Sequence, residues 1–199
     1  MKPQAKHKYC RRLGYCLWGM AKCPSNKRPY SPGAQGKNKR RRKQSTYGEL
    51  LQEKQILRRY YAISEKQMKN AYIKAKKVKG VVGDILLSHL ECRLDSVVYH
   101  AGLVPSIFSA KQVVSHRHIL VNGKIVDRCS YLVSPGDKIS IKDEKSPAIA
   151  DQARKTDKEI PPYLEVDEEK LIATLTRQPL AEEISLNVDV TKVVEYYAR

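Results

Sequence analysis

The chain has 199 residues, 41% of them hydrophobic and 30% charged, with a formal net charge of +17, enough for one medium domain or two small ones with a real core. That charged fraction argues against a membrane protein, and the longest apolar runs are too short to cross a bilayer. The opening MKPQAKHKYCRRLG lacks the apolar stretch of a secretory signal, so the five cysteines, an odd number, read as reduced thiols rather than a disulfide framework.

The charge is concentrated at the front. Residues 1–48 hold 14 Lys and Arg and no Asp or Glu, whereas residues 143–199 hold 8 basic against 13 acidic. Such a segment repels itself unless it meets a polyanion, and nucleic acid is the usual one because each neutralised phosphate releases a counterion. An anionic membrane surface would call for an amphipathic helix or a lipidation signal, and SPGAQGKNKRRRKQ offers neither.

Residues 1–46 show no sustained helical or strand period. With Pro29, Pro32, Gly33 and Gly36 they read as an extended, turn-rich basic arm, on which Lys37, Lys39, Arg40, Arg41, Arg42 and Lys43 are placed to lie along phosphates. Tyr9, Tyr15, Trp18 and Tyr30 punctuate the arm and suit base stacking, unlike a solubilising tail poor in aromatics. His7, Cys10, Cys16 and Cys23 have the right donors for zinc. Their spacings of two, five and six intervening residues contain no Cys-x-x-Cys knuckle, however. The expectation is no metal and no cofactor, with these four as the zinc candidates; the alternative is small side chains buried where the arm packs.

Helical pattern begins near Tyr47, where Leu50, Leu51, Ile56, Leu57, Tyr60 and Tyr61 fall near i, i+3, i+4 spacing. Ser64 with Gln67 three residues on is a capping-box pattern for a second helix. Its late Lys74, Lys76, Lys77 and Lys79 suit either the helix dipole or an RNA contact. Leu86, Leu90, Leu94, Val97 and Ala101 predict one helix ending at Gly102. Residues 106–116 predict a shorter helix capped by Ser106, with Ile107, Ala110 and Val114 inward. Asn122-Gly123 between β-rich flanks predicts a hairpin, and SYLVSPGDKISIKD adds a Pro135-Gly136 turn and a strand through Ile139 and Ile141. Residues 143–162 read as a connecting helix and loop, the stretch after them as short strands or loops, and NVDVTKVVEYYAR as an apolar-rich segment that docks back on a core.

His89, His100, His116 and His118 with scattered acids show no nucleophile–base spacing, no nucleotide-binding glycine loop and no paired acids, so no enzyme is expected. Cys92 and Cys129 read as buried, apolar-like thiols. In the hairpin module, Lys111, Arg117, Lys124 and Arg128 together with helix N-termini form a positive surface able to hold folded RNA by shape and backbone. The alternative is a small domain with ordinary surface charge.

The stretch from Leu90 to Asp143 resembles the RNA-binding module named after small-subunit ribosomal protein number four, through Arg93-Leu94-Asp95, Gln112, Ser115-His116, Val121-Asn122-Gly123 and Pro135-Gly136-Asp137. That module also occurs in pseudouridine synthases, tyrosyl-tRNA synthetases and a small heat-shock protein. The flanks RPYSPGAQG, YGELLQEKQILRRYYAISEKQ and VVEYYAR resemble signatures of the ribosomal protein itself, in order across essentially the whole chain. The chain thus resembles the small ribosomal subunit protein S-four family, bacterial or organellar type.

The resemblance implies an α+β fold: a helical body over 47–90 completed by 143–199, an inserted RNA-binding module over 91–142 with two helices, a β-hairpin and further strands, and a basic N-terminal arm over 1–46. It implies a primary binder of small-subunit ribosomal RNA that nucleates assembly of the subunit body. The implied neighbours are ribosomal protein five, at an interface linked to decoding accuracy, and messenger RNA near the channel where it enters. The implied location is the small subunit in the cytoplasm, or the organelle interior if organelle-encoded. Carried over by position, Arg93 and Asp95 buttress the module, and Ser106, Lys111, Gln112, His116, Asn122 and Lys124 face RNA. Many relatives carry Arg at positions 107 and 111, where this chain has Ile107 and Lys111, so that helix should grip phosphate less tightly. PGAQG replaces the commoner PGQHG, and the Cys-x-x-Cys spacing of zinc-binding relatives is missing.

Overall fold

The computed structural model describes residues 6–20, 22–34, 36, 45–142, 159–167, 170–184 and 186–198. It forms two compact units, Met1–Gln52 and Glu53–Arg199.

In the first unit the turn-rich reading is interrupted by two short helices, α1 (Lys6–Leu13) and α2 (Pro24–Lys27). Gly14 ends α1 at φ +87° and its N–H donates to the Cys10 carbonyl at 2.9 Å, the left-handed C′ arrangement that glycine adopts without strain. Pro24 opens α2, where its missing N–H costs nothing. Cys10, Leu17 and Cys23 are buried between them. The SPGAQG turn is tightly specified: a Cβ added to Gly36 would sit 1.8 Å from the Ser31 carbonyl oxygen, so no side chain fits there.

The helix α3 (Thr46–Tyr60) runs through the boundary into the second unit. There α4 (Glu65–Lys76), α5 (Val82–Glu91), α6 (Leu94–His100), α7 (Ile107–Ser115) and α8 (Val190–Ala198) accompany β1 (Ile119–Val121), β2 (Lys124–Ile125), β3 (Lys138–Ile141), β4 (Leu164–Asp167) and β5 (Ile172–Leu175). The strands form one antiparallel sheet in the order β2-β1-β3-β5-β4. The mixed helix and antiparallel sheet is the expected α+β class. Ser64 caps α4 with the full reciprocal box: its hydroxyl accepts from the Gln67 N–H, and the Gln67 side chain accepts from the Ser64 N–H.

The single helix expected up to Gly102 is two. The chain leaves α5 at Cys92, extends at Arg93 (φ −69°, ψ 140°) and re-enters helix at Leu94. Pairing with the loop before β3 wins over helix continuation. The Leu94 N–H donates to the Tyr131 carbonyl at 2.8 Å, and the Val133 N–H to the Cys92 carbonyl at 2.8 Å. The unbroken leucine spacing conceals this because the two halves serve different cores. Leu86 and Leu90 join Leu57, Tyr61, Met68 and Val193 in one cluster, whereas Leu94, Val97 and Ala101 join Ile119, Ile139, Ala173 and Leu175 in another.

The C-terminal segment, expected to complete the helical body, divides between those cores. β4 and β5 extend the module's sheet because β5 pairs with β3, Ile139 opposite Ala173. The end of the chain returns to the helical body: Ala181, Ile184, Leu186 and Val188 pack against its cluster, and α8 buries Val193 and lies against Gly83 of α5, where an added Cβ would come within 3.1 Å of Val190 Cγ1. The connecting helix expected over 143–162 lies outside the described residues up to 158. The buried Glu91 carboxylate stands where the two clusters meet. It accepts from the Tyr61 hydroxyl at 2.6 Å and the Tyr163 hydroxyl at 3.2 Å, and pairs with His100 Nε2 at 3.2 Å. Burial, then the Glu91 charge, hold the Tyr61 phenol well above its ordinary pKa.

Candidate nucleic-acid interface

The β1–β2 hairpin turns on Asn122 (φ 51°) and Gly123 (φ 76°), the positive-φ pair that a two-residue turn of this twist requires. Asn122 is more than a turn residue. Its Nδ2 donates to Asp137 Oδ1 at 2.8 Å and its Oδ1 accepts from the Lys138 N–H at 2.9 Å, while Asp137 Oδ2 accepts from the Ser134 N–H at 2.8 Å. The exposed side chain expected to face RNA also ties the hairpin to the Pro135-Gly136 turn and fixes the direction of the tip.

Two other expected RNA contacts are likewise engaged within the protein. Ser106 caps α7, its hydroxyl accepting from the Ser109 N–H at 3.2 Å. Lys111 turns inward: its Nζ lies 2.7 Å from Oδ2 of Asp95, which is fully buried and also held by Arg93 through Nε at 3.0 Å and Nη2 at 2.9 Å. Burying a carboxylate is costly unless partners of this kind satisfy its oxygens. Arg93 and Asp95 do buttress the module, and they recruit Lys111 to the task. Ile107 is buried in the core, as an apolar replacement at that position should be.

Gln112, His116, Arg117, Lys124 and Arg128 are all exposed, as is Asn122. Arg117 adopts φ +65° after α7, and its Nε donates to Asp127 at 3.1 Å, which offsets part of its charge. The Lys124 and Arg128 side chains, on the hairpin and just beyond it, have no ion pair among the described residues. Lys37, Lys39, Arg40, Arg41, Arg42 and Lys43 lie outside the described residues.

A groove of about 230 Å³ between α4, α5 and residues 130–132 adds a polar surface that sequence reasoning left undecided. Gln67, Asn70, Lys74, His89, Arg93 and Ser130 line it, with no carboxylate among the lining residues. Burial, reinforced by the Lys74 charge, lowers the His89 pKa. The lysines late in α4 were the available signal; only the fold reveals that one of them faces a groove shared with the module.

In the first unit, His7 Nδ1 lies 3.2 Å from Cys23 Sγ, and the donor atoms of His7, Cys10 and Cys23 all fall within 4.8 Å of one another. Burial pushes the Cys10 thiol up to about 11. At Cys23 burial acts upward too, but hydrogen bonds from Ser25, Cys16 and His7 outweigh it and bring the thiol down to about 7.

Two family models match in tandem: the Ribosomal protein S4/S9 N-terminal domain over residues 2–91 and the S4 domain over residues 92–139. The small ribosomal subunit protein uS4 of Ehrlichia ruminantium (strain Gardel) is 42% identical over 200 residues, covering 98% of each chain. That of Paracoccus denitrificans (strain Pd 1222) is 42% identical over 201 residues, covering 98% of this chain and 97% of the relative. That of Wolbachia pipientis wMel is 41% identical over 198 residues, with the same coverage.

Proposed function

The chain belongs to the small ribosomal subunit protein uS4 family, and from that premise we propose that it is a structural, non-enzymatic constituent of the small ribosomal subunit that binds the subunit's RNA. The observation that carries the reading is end-to-end correspondence: two family models succeed one another along the chain, and relatives align over 98% of it. The braced hairpin supports it physically, since it offers Lys124 and Arg128 at a fixed angle to a phosphate backbone.

In this reading the arm, 1–46, is a counterion for RNA, with Lys37 and Lys39 to Lys43 as its phosphate contacts. Gln112, His116, Arg117, Lys124 and Arg128 of the module, 91–142, set the docking register. Ser106 and Lys111 shape that surface from within, and Asn122 braces it at the exposed hairpin tip. The helical body, 47–90 with the C-terminal helix, carries the module. The protein nucleates assembly of the subunit body, neighbours ribosomal protein five and the channel where messenger RNA enters, contributes to decoding accuracy, and works in the cytoplasm or inside an organelle. Among the described residues no helix is long and apolar enough to cross a membrane. RNA binding of this kind needs no cofactor; the one metal the reading admits is a structural zinc in the first unit.

Sedimentation tests the proposal. The protein should co-migrate one-to-one with small subunits through a gradient at moderate salt. Sub-stoichiometric recovery, confined to stressed cells, would identify instead an accessory factor that visits stalled ribosomes.

A further inference from the structure

We infer that the groove between α4, α5 and residues 130–132 holds one unpaired adenine of the RNA, turned out of its stack, a site that rests on the RNA-binding function proposed for the chain. Gln67, Asn70, Ala71 and Lys74 fall at i, i+3, i+4 and i+7, so they form one stripe of α4, and all four line the groove. The residue in the middle of that stripe is Ala71, whose short side chain leaves the space of about 230 Å³ open. A space of that size suits a single planar base rather than a duplex, and unstacked bases are the part of RNA that proteins read most selectively.

The polar groups are set for the edge of a base. Gln67 Oε1 accepts from the Ser64 N–H at 3.1 Å, so Gln67 has only its amide donors left to offer. Asn70 is exposed, and its side-chain amide makes no hydrogen bond among the described residues, which leaves its donor and its acceptor both available. Adenine is the base whose Hoogsteen edge places an acceptor, N7, beside a donor, the N6 amino group: Asn70 Nδ2 donates to N7 and its Oδ1 accepts from N6. Guanine places two acceptors there, and the groove lining has no carboxylate to accept from its N1 and N2 donors. Lys74, one turn beyond Asn70, has no ion pair among the described residues. It stands close enough to His89 for its charge to lower the imidazole pKa. An ammonium beside an imidazole with no acid between them suits the phosphate of the same nucleotide. Leu132, 41% exposed on the wall beyond α5, is apolar surface that the face of the base would cover.

The test uses the full chain with small-subunit RNA, free and in complex. Wild-type protein should protect one adenine from carbethoxylation at N7. That adenine should become reactive with Asn70→Ala, and with Ala71→Leu, which fills the groove without removing a polar group. 7-Deazaadenosine at the same nucleotide should weaken wild-type binding about 5- to 150-fold and weaken Asn70→Ala no further. Lys74→Ala should reduce the salt dependence by about one counterion, whereas Asn70→Ala should leave it as it is. Because Asn70 is exposed, its variant tests the contact without touching the core. An adenine pattern identical in wild type and both variants overturns the site, as does 7-deazaadenosine tolerated at every position. A loss in Asn70→Ala that comes with a shallower salt slope marks a phosphate contact alone and overturns the adenine. When these fail while wild-type protein still binds small-subunit RNA and sediments with the subunit, only the groove is struck out; no RNA binding at all removes both readings.

Discussion

The buried Asp95 carboxylate is held from two sides, by Arg93 and by Lys111. Asp95→Ala removes the buried partner of both Arg93 and Lys111 and should cost about 3–5 kcal/mol of stability in urea denaturation. Lys124 is the opposite case, exposed and without an ion pair among the described residues. Lys124→Ala should leave stability within about 0.5 kcal/mol, yet reduce the salt dependence of RNA binding by roughly one counterion. Sequence alone does not separate these two lysines, since what distinguishes them is a carboxylate 16 positions away from Lys111. The turn at Asn122-Gly123 was legible because its requirement is local, two positive φ values in succession. The second role of Asn122 was not, since Asp137 reaches it only through the fold.

At the scale of elements, legibility depended on whether the signal was local. The Ser64 capping box, the cap at Ser106 and the bounds of α7 could be read from neighbouring residues. The break between α5 and α6 could not, because the leucine spacing runs on through it while the cause lies in the loop at 131–133. α8 depends on α5 having no side chain at position 83. Gly83→Val should destabilise by about 1–3 kcal/mol through overpacking, with faster hydrogen exchange over 190–198. α8 also shares a titrating contact with α3 and α4. Burial acts to raise the Glu65 carboxyl, but Lys54 at 2.9 Å, the Tyr197 hydroxyl at 2.8 Å and Arg58 outweigh it and hold its pKa below the ordinary value. A depressed carboxyl contributes stability that is complete above its unfolded pKa and disappears as pH falls through the folded one. His89 is depressed as well, so the unfolded chain takes up its proton first and stability falls as pH drops through the ordinary histidine range. Denaturation midpoints should therefore decline in two stages on acidification, with His89→Gln removing the upper stage and Glu65→Gln the lower.

For the whole molecule the governing quantity is the excess of 38 basic over 21 acidic residues. If about 6–10 phosphates are neutralised, affinity for RNA should fall roughly 10³- to 10⁵-fold between about 50 and 200 mM salt; filter binding across a salt series checks it, and a flat response would contradict a backbone-led mode. The division of the C-terminal segment between two cores has a further consequence, in time rather than space. A nascent chain emerges at about 5–20 residues per second, and neither cluster is whole until late: one waits for Ala173 and Leu175, the other for Val193. The arm and hairpin are therefore synthesised well before the scaffold behind them can set, and a message cut short near its end would release a product with its phosphate-seeking front intact and no finished body to aim it.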